Sequence, residues 1–186
     1  MFCRKKRMPT DPQIITAIAE NPEKGFRMLV GSYKEPVYWH IRRIVVAHDD
    51  AQDAVQETFL RVFRAFGQFN HEQSLKAWIF RIATNEALRL LGRRQGRNIL
   101  SLDESTPDIL HLRADDYFDY GDKLAVKLQQ AIHTLPLKQQ LAFNFRYYDE
   151  LSYEEIAAVT DSSAANVKAN YHLAKEKIIQ YMNNND

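Results

Sequence analysis

Apolar side chains recur along this chain every three or four residues, the spacing of one face of an α-helix. Val55, Phe59, Val62 and Phe66 step by 4, 3 and 4; Leu137, Leu141, Phe145 and Tyr148 by 4, 4 and 3; Val167, Tyr171, Ala174 and Ile178 by 4, 3 and 4. No stretch alternates about a hairpin turn as paired strands do. The pattern predicts helices over 11–20, 23–46, 50–66 and 74–95, then over 122–134, 137–148, 152–159 and 163–182. Asp11-Pro12 has N-cap and first-turn character. Ser152-Tyr153-Glu154-Glu155 is a capping box, its Ser hydroxyl and its second Glu placed to satisfy the first free amides of a helix.

The two helical sets are separated by 101–122, which has no sustained period, contains Pro107 and Gly121, and carries seven acids against Arg113. Such a stretch reads as a flexible acidic linker. The fold class is therefore all-α: an N-terminal domain over 1–97, a linker over 98–122, and a C-terminal domain over 123–186.

Charge sharpens the division. Residues 1–100 hold 17 Lys/Arg and 10 Asp/Glu, whereas 101–186 hold 8 and 14, so a net charge of +1 conceals a basic half and an acidic half. That asymmetry points to a nucleic-acid surface. With 45% hydrophobic and 26% charged residues the chain has the profile of a soluble globular protein. No apolar run approaches the ~20 residues of a membrane span. Arg4-Lys5-Lys6-Arg7 is followed by no signal-peptide core, so the expected location is cytoplasmic. Cys3 is the only cysteine, which excludes a disulfide framework and a cysteine zinc site. No two of the six histidines fall at helical ligand spacing, and there is no HExxH, phosphate-binding glycine loop or nucleophile elbow. These absences predict no metal, no cofactor and no enzymatic activity.

Two segments carry chemistry for DNA. At about 100° per residue, Trp78, Arg81, Asn85, Arg89 and Arg93 share one face of the fourth helix, while Ile79, Phe80, Ala83, Ala87, Leu90 and Leu91 form its core face. Guanidinium groups neutralise phosphates, and an aromatic ring stacks on an unpaired base. The competing interpretation makes Trp78 a core residue and the arginines a solvated face. Just upstream, Phe66 to Ser74 is a polar loop with two aromatics, a shape able to cradle an extruded base.

The second segment, Ser152 to Ile178, reads as two helices about the turn Thr160-Asp161-Ser162. Small Ala157 permits a close helix crossing. Asp161 stands where Gly is common, and Asp tolerates the left-handed conformation better than most residues. In a DNA-binding helix-turn-helix the second helix enters the major groove. Its exposed candidates are Ser163, Asn166, Lys168, Asn170, His172 and Lys175, with Asn suited to adenine and Lys to guanine or phosphate. An ordinary helical hairpin is the alternative.

Taken in series, these segments resemble the extracytoplasmic-function (ECF) sigma factors, small members of the housekeeping-type bacterial sigma family. Asp53-Ala54-Val55-Gln56-Glu57-Thr58-Phe59-Leu60-Arg61-Val62-Phe63 resembles the polymerase-binding helix of the family's second conserved region. Ala77-Trp78-Ile79-Phe80-Arg81-Ile82-Ala83-Thr84-Asn85 resembles the promoter-melting helix that follows it. Leu135-Pro136-Leu137-Lys138-Gln139-Gln140, with Phe143, Arg146 and Tyr147, and then Leu151-Ser152-Tyr153-Glu154-Glu155-Ile156-Ala157, resembles the fourth region. The resemblance covers about residues 20–97 and 123–180.

It implies a subunit that binds core RNA polymerase and directs promoter recognition, through binding rather than catalysis. Asp53, Gln56, Glu57 and Phe59 would then lie at the polymerase surface. Asn70, His71, Ser74, Trp78, Arg81, Asn85 and Arg89 would face the −10 element, and Ser163, Asn166, Lys168, Asn170, His172 and Lys175 the −35 element. An anti-sigma protein, often membrane-bound in this family, is an implied partner, with no membrane insertion by this chain. The last helix departs from the family's arginine-rich pattern, having Ala169-Asn170 and Leu173-Ala174-Lys175, which implies weaker phosphate contact there. A stand-alone operator-binding regulator accounts for 152–178 but not for the Gln56-Glu57 helix or the Trp78 stripe. A helical adaptor for protein partners accounts for the apolar faces but gives Arg81 and Arg89 no role.

Overall fold

A computed structural model describes residues 8–45, 47–94 and 123–184. All regular structure among them is helical: α1 (Asp11–Glu20), α2 (Pro22–Val45), α3 (His48–Ala65), a single 3-10 turn (Phe66–Gln68), α4 (Leu75–Arg94), α5 (Lys123–His133), α6 (Leu137–Tyr147), α7 (Tyr153–Thr160) and α8 (Ala164–Asn184). Every predicted helix is present, with ends within two residues of expectation. The expected linker over 98–122 lies outside the described residues.

One cap differs from expectation. Thr10, not Asp11, precedes α1, and its amide donates to Gln13 Oε1 at 3.0 Å. Asp11 is thereby free to accept a hydrogen bond from the Tyr33 hydroxyl at 2.5 Å, tying α1 to α2. Burial, and then that carboxylate, push the Tyr33 hydroxyl well above its ordinary pKa. The two helices cross so closely that a Cβ on Gly25 would stand 2.3 Å from the Ile18 backbone nitrogen. Only glycine fits there.

Helices α1 to α4 form the N-terminal unit. α2, α3 and α4 pack on one another, and α1 covers α2. The periodic positions fill the interior: Leu29, Val37, Ile41, Val62, Ile79, Phe80, Ala83 and Ala87 are buried. In the C-terminal unit α5, α6 and α7 lie against α8. Ala131, Ile132, Leu135, Phe143, Ala174 and Ile178 form a small cluster of its own.

The two units share a core. Leu141, Phe145, Leu151 and Ile156 belong to the same buried cluster as the interior of the N-terminal unit, and α7 packs on α4. Phe145 stacks on the buried His40 ring at 4.7 Å. His40 Nδ1 bonds Asp149 at 2.7 Å, and its Nε2 meets Thr84 Oγ1 at 2.9 Å. Arg43 donates to the other carboxylate oxygen of Asp149, and the Lys76 ammonium to the Asp149 carbonyl. Asp149 is 6% exposed, and its buried carboxylate is paired with the Arg43 guanidinium, as a carboxylate taken out of water requires.

His133, at the end of α5, is also buried, and desolvation lowers its pKa from 6.5 to about 4. The unfolded chain therefore binds the extra proton first as the pH falls below 6.5, and each unit of acidification below that value costs up to about 1.4 kcal/mol of stability until the folded value is reached. Thermal melts between pH 7 and pH 4 should show this decline, and His133→Gln should flatten it.

Candidate DNA and protein-docking surfaces

Helix α3 turns Ala51, Ala54, Val55, Thr58 and Val62 inward. Asp49 in its first turn suits the helix dipole. The opposite strip presents Asp53, Gln56 and Glu57 to solvent, while Phe59 is half-buried against the core. Further along the exposed strip, Leu60 and Phe63 stand open at 47% and 59% exposure. Three polar groups and two large apolar side chains thus sit on one accessible helix edge, a composition suited to a protein partner.

Between α3 and α4 runs a groove of about 340 Å³ lined by Asp53, Gln56 and Glu57 on one side and Arg89, Leu90 and Arg93 on the other. At its floor Glu86 is buried, clamped by Arg61 at 2.5 Å and by Arg89. The stripe foreseen on α4 is therefore divided. Arg89 and Arg93 belong to the groove beside Asp53, Gln56 and Glu57, whereas Trp78, Arg81 and Asn85 lie nearer the start of the helix.

The loop before α4 is built from local hydrogen bonds. Asn70 Oδ1 accepts from the Glu72 amide at 3.0 Å, Gln73 N donates to Asn70 O at 3.0 Å, and Ser74 Oγ accepts from Ala77 N at 3.2 Å, capping α4. Its aromatics point inward. Phe69 is buried, and Phe66, Phe69 and Trp78 pack as a trio with centroids 5.0 to 6.1 Å apart. Trp78 is half-buried in this trio, so it carries a packing role as well as a partly open ring. Asn70, His71, Arg81 and Asn85 are exposed, and Ser74 is half-buried. The polar edge of the loop and the start of α4 thus form one surface.

Arg81 is engaged. Its guanidinium donates to both Asp161 oxygens at 2.9 Å and to the Ala158 carbonyl at 3.3 Å, all in the C-terminal unit.

In that unit Ser152 accepts from Glu155 N at 3.1 Å while the Ser152 amide donates to Glu155 Oε2 at 2.8 Å, the foreseen capping box. Burial raises the Glu155 pKa, but the Ser152 amide, the Ser74 and Ser152 hydroxyls and the Lys76 charge outweigh it and hold the carboxyl below its usual value. Asp161 takes the left-handed conformation (φ 49°, ψ 46°) that ends α7 and turns the chain into α8. Ser163 caps α8, accepting from Asn166 N at 3.1 Å.

Val167, Ala174 and Ile178 bury one face of α8. Around the rest, the six candidates fall on two flanks at 100° per residue. Ser163, Asn166 and Asn170 line one flank, with the Asn170 amide donating to Asn166 O at 3.0 Å. Lys168, His172 and Lys175 line the other, and the Lys175 ammonium lies 5.7 Å from the Tyr171 ring centre. Exposed Ala165, Ala169 and Leu173 lie between them, an apolar strip not anticipated from the sequence.

The matches to known proteins follow the same division. The family description "Sigma-70 region 2" matches residues 29–97, and "Sigma-70, region 4" matches 125–178. The ECF RNA polymerase sigma-E factor of Haemophilus influenzae is 32% identical over 178 residues, covering 91% of this chain and 93% of that protein. Its Escherichia coli K12 counterpart is 30% identical over 178 residues, covering 91% and 92%. Among solved structures, the sigma factor RpoE of Bartonella quintana, in complex with the anti-sigma factor NepR, superposes with a TM-score of 0.67 at 22% identity over 88% of this chain and 99% of that one. CnrH, in complex with the cytosolic domain of CnrY, superposes with a TM-score of 0.70 at 18% identity over 93% and 97%. The two matched regions fall on the N-terminal helices and on the C-terminal helices that carry the helix-turn-helix, and the relatives match along nearly the whole chain: the chain belongs to the extracytoplasmic-function sigma factors of the sigma-70 family.

Proposed function

We propose that this sigma factor docks core RNA polymerase through the exposed edge of α3, with Asp53, Gln56 and Glu57 as the polar contacts, Leu60 and Phe63 as apolar ones and Phe59 bracing the helix from beneath. The observation that carries this reading is the α3 edge itself: acids, an amide and two large apolar side chains left open on a helix whose other face is fully used by the core. Asn70, His71, Ser74, Trp78, Arg81 and Asn85 then meet the melted −10 strand, and α8 offers Ser163, Asn166, Lys168, Asn170, His172 and Lys175 to the −35 duplex. Arg89, joined to Glu86 in the α3–α4 groove, reaches the −10 strand only from the polymerase-facing side. The chain works by binding, in the cytoplasm, where its DNA and polymerase are. No helix among the described residues is long and apolar enough to cross a membrane. An anti-sigma protein is a fitting regulator, since the similar sigma factor RpoE of Bartonella quintana was solved with such a partner.

Run-off transcription with purified core polymerase on a pool of genomic promoter fragments tests this. Discrete transcripts that require the protein are expected. Duplex binding without polymerase, and no transcripts, would overturn it in favour of a stand-alone regulator.

A further inference from the structure

We propose that Leu173 and Ala169 of α8 set promoter specificity by packing against thymine methyl groups in the major groove of the −35 element. Leu173 is 45% exposed, although the face of α8 that the core needs is already filled by Val167, Ala174 and Ile178. At about 100° per residue, Ala165 and Ala169 point almost directly away from that buried face, and Leu173 lies beside them. This is the part of the helix that stands furthest out of the fold. Ser163, Asn166 and Asn170 flank it on one side and Lys168, His172 and Lys175 on the other, with no acid among them. Such a border suits the phosphates on either side of a groove. Glu176, on the next turn, ends the apolar strip with a charge that phosphate repels. From Ala165 to Leu173 the helix rises about 12 Å, the length of roughly three to four base-pair steps.

The chemistry of the groove selects the base. Its edges are lined by hydrogen-bond donors and acceptors, and the apolar group among them is the C5 methyl of thymine. An alanine methyl or a leucine side chain pressed on a donor or acceptor displaces its water and returns no hydrogen bond, which disfavours that base. Against a thymine methyl the same side chain removes apolar surface from water on both partners, which favours it. The small side chains at 165 and 169 let the helix axis come close enough for Leu173 to reach the base edges. Asn166 and Asn170 point the same way. An Asn amide suits adenine, so the flank and the apolar face both select A·T pairs.

This inference rests on the reading that α8 meets the −35 duplex, and the experiment separates the two. Holoenzyme assembled from core polymerase and the full chain is titrated with fluorescein-labelled duplex fragments of a promoter recovered by run-off transcription. One fragment is native. In a second, the thymines of the −35 element are replaced by deoxyuridine, which pairs with adenine as thymine does but lacks the methyl group. In a third, the −35 element is scrambled. Wild-type holoenzyme is expected to bind the deoxyuridine fragment about tenfold more weakly than the native one, as the loss of two buried methyl contacts implies. Ala169→Ser with Leu173→Gln should bring that ratio to within about twofold, the coupling expected when the two groups touch. Lys168→Ala, which removes a phosphate contact, should weaken both fragments alike and leave the ratio unchanged.

Equal binding of the native and deoxyuridine fragments by wild type, with the scrambled fragment bound weakly, overturns the methyl contact and leaves the −35 reading standing. Equal binding of all three overturns the −35 reading on which it rests. A deoxyuridine penalty that persists unchanged in the Ala169→Ser, Leu173→Gln variant assigns the effect to the DNA itself and leaves the apolar strip to a protein partner, which also overturns the proposal. If the double variant loses helicity by circular dichroism, Leu173→Gln alone decides: its ratio falls if the leucine touches a thymine methyl and stays at the wild-type value if it does not.

Discussion

Changing Gln56 and Glu57 together to Ala should weaken binding to core polymerase about 100-fold and remove sigma-dependent transcripts. Both side chains are exposed on α3 and neither supports the core. Folding stability should therefore stay within about 0.5 kcal/mol of wild type. The loss in binding follows from their position at the centre of the polar strip, between Asp53 and the apolar pair Leu60 and Phe63. Contacts at the middle of an interface commonly cost 1–2 kcal/mol or more each when truncated. Two such losses come to roughly 3 kcal/mol, or about 100-fold. Equilibrium binding to fluorescent core polymerase, alongside a thermal melt, measures both halves of the prediction. A wild-type affinity in the double variant would move the docking surface elsewhere, most directly to the Arg89 and Arg93 side of the groove.

The helices were legible because each must hide one face, and the 3.6-residue period of that face is written in consecutive residues. The Ser152 capping box and the left-handed Asp161 were legible for a related reason, since both are local backbone requirements met by nearby side chains. The exposure of Asp53, Gln56 and Glu57 on α3 was legible from the helical period, but the docking role proposed for them came from the family resemblance, because exposed acids on a helix look the same whether or not a partner covers them.

What escaped was everything set by tertiary contact. His40 and Asp149 are 109 residues apart in sequence and bonded in space, and no period or motif links them. The α4 stripe appeared as one surface because its angular spacing is uniform. Buried Glu86 divides it by drawing Arg89 into the groove, while Asp161 takes Arg81. Phe66 and Phe69 looked available to a flipped base as part of a polar loop, but they are turned inward onto Trp78. Ala165, Ala169 and Leu173 on α8 went unread because small apolar residues on a helix are first assigned to the core.

Phe145→Ala should produce the largest loss of stability, about 3–5 kcal/mol, the range for removing a fully buried phenylalanine. The ring is wholly buried, stacked on His40 and 6.5 Å from the Phe80 ring centre. It lies where the two units share their core, so the cavity would open beneath the Asp149 cluster as well as within the C-terminal unit. A melting temperature lower by roughly 6–20 °C is expected in a differential scanning calorimetry trace. The form of the trace carries as much as the shift. With the ring present, the common core joins both units and one transition is expected. Without it, the buried Asp149 loses the wall that keeps water from its ion pair with Arg43, and the C-terminal unit should melt first, separating the trace into two. A loss under about 1 kcal/mol with a single transition would instead place the stability of the chain in its ion pairs rather than in the shared apolar core. The buried charge at Asp149 argues against that outcome, since ion pairs taken out of water gain little beyond their desolvation cost and depend on the surrounding packing to hold them in place.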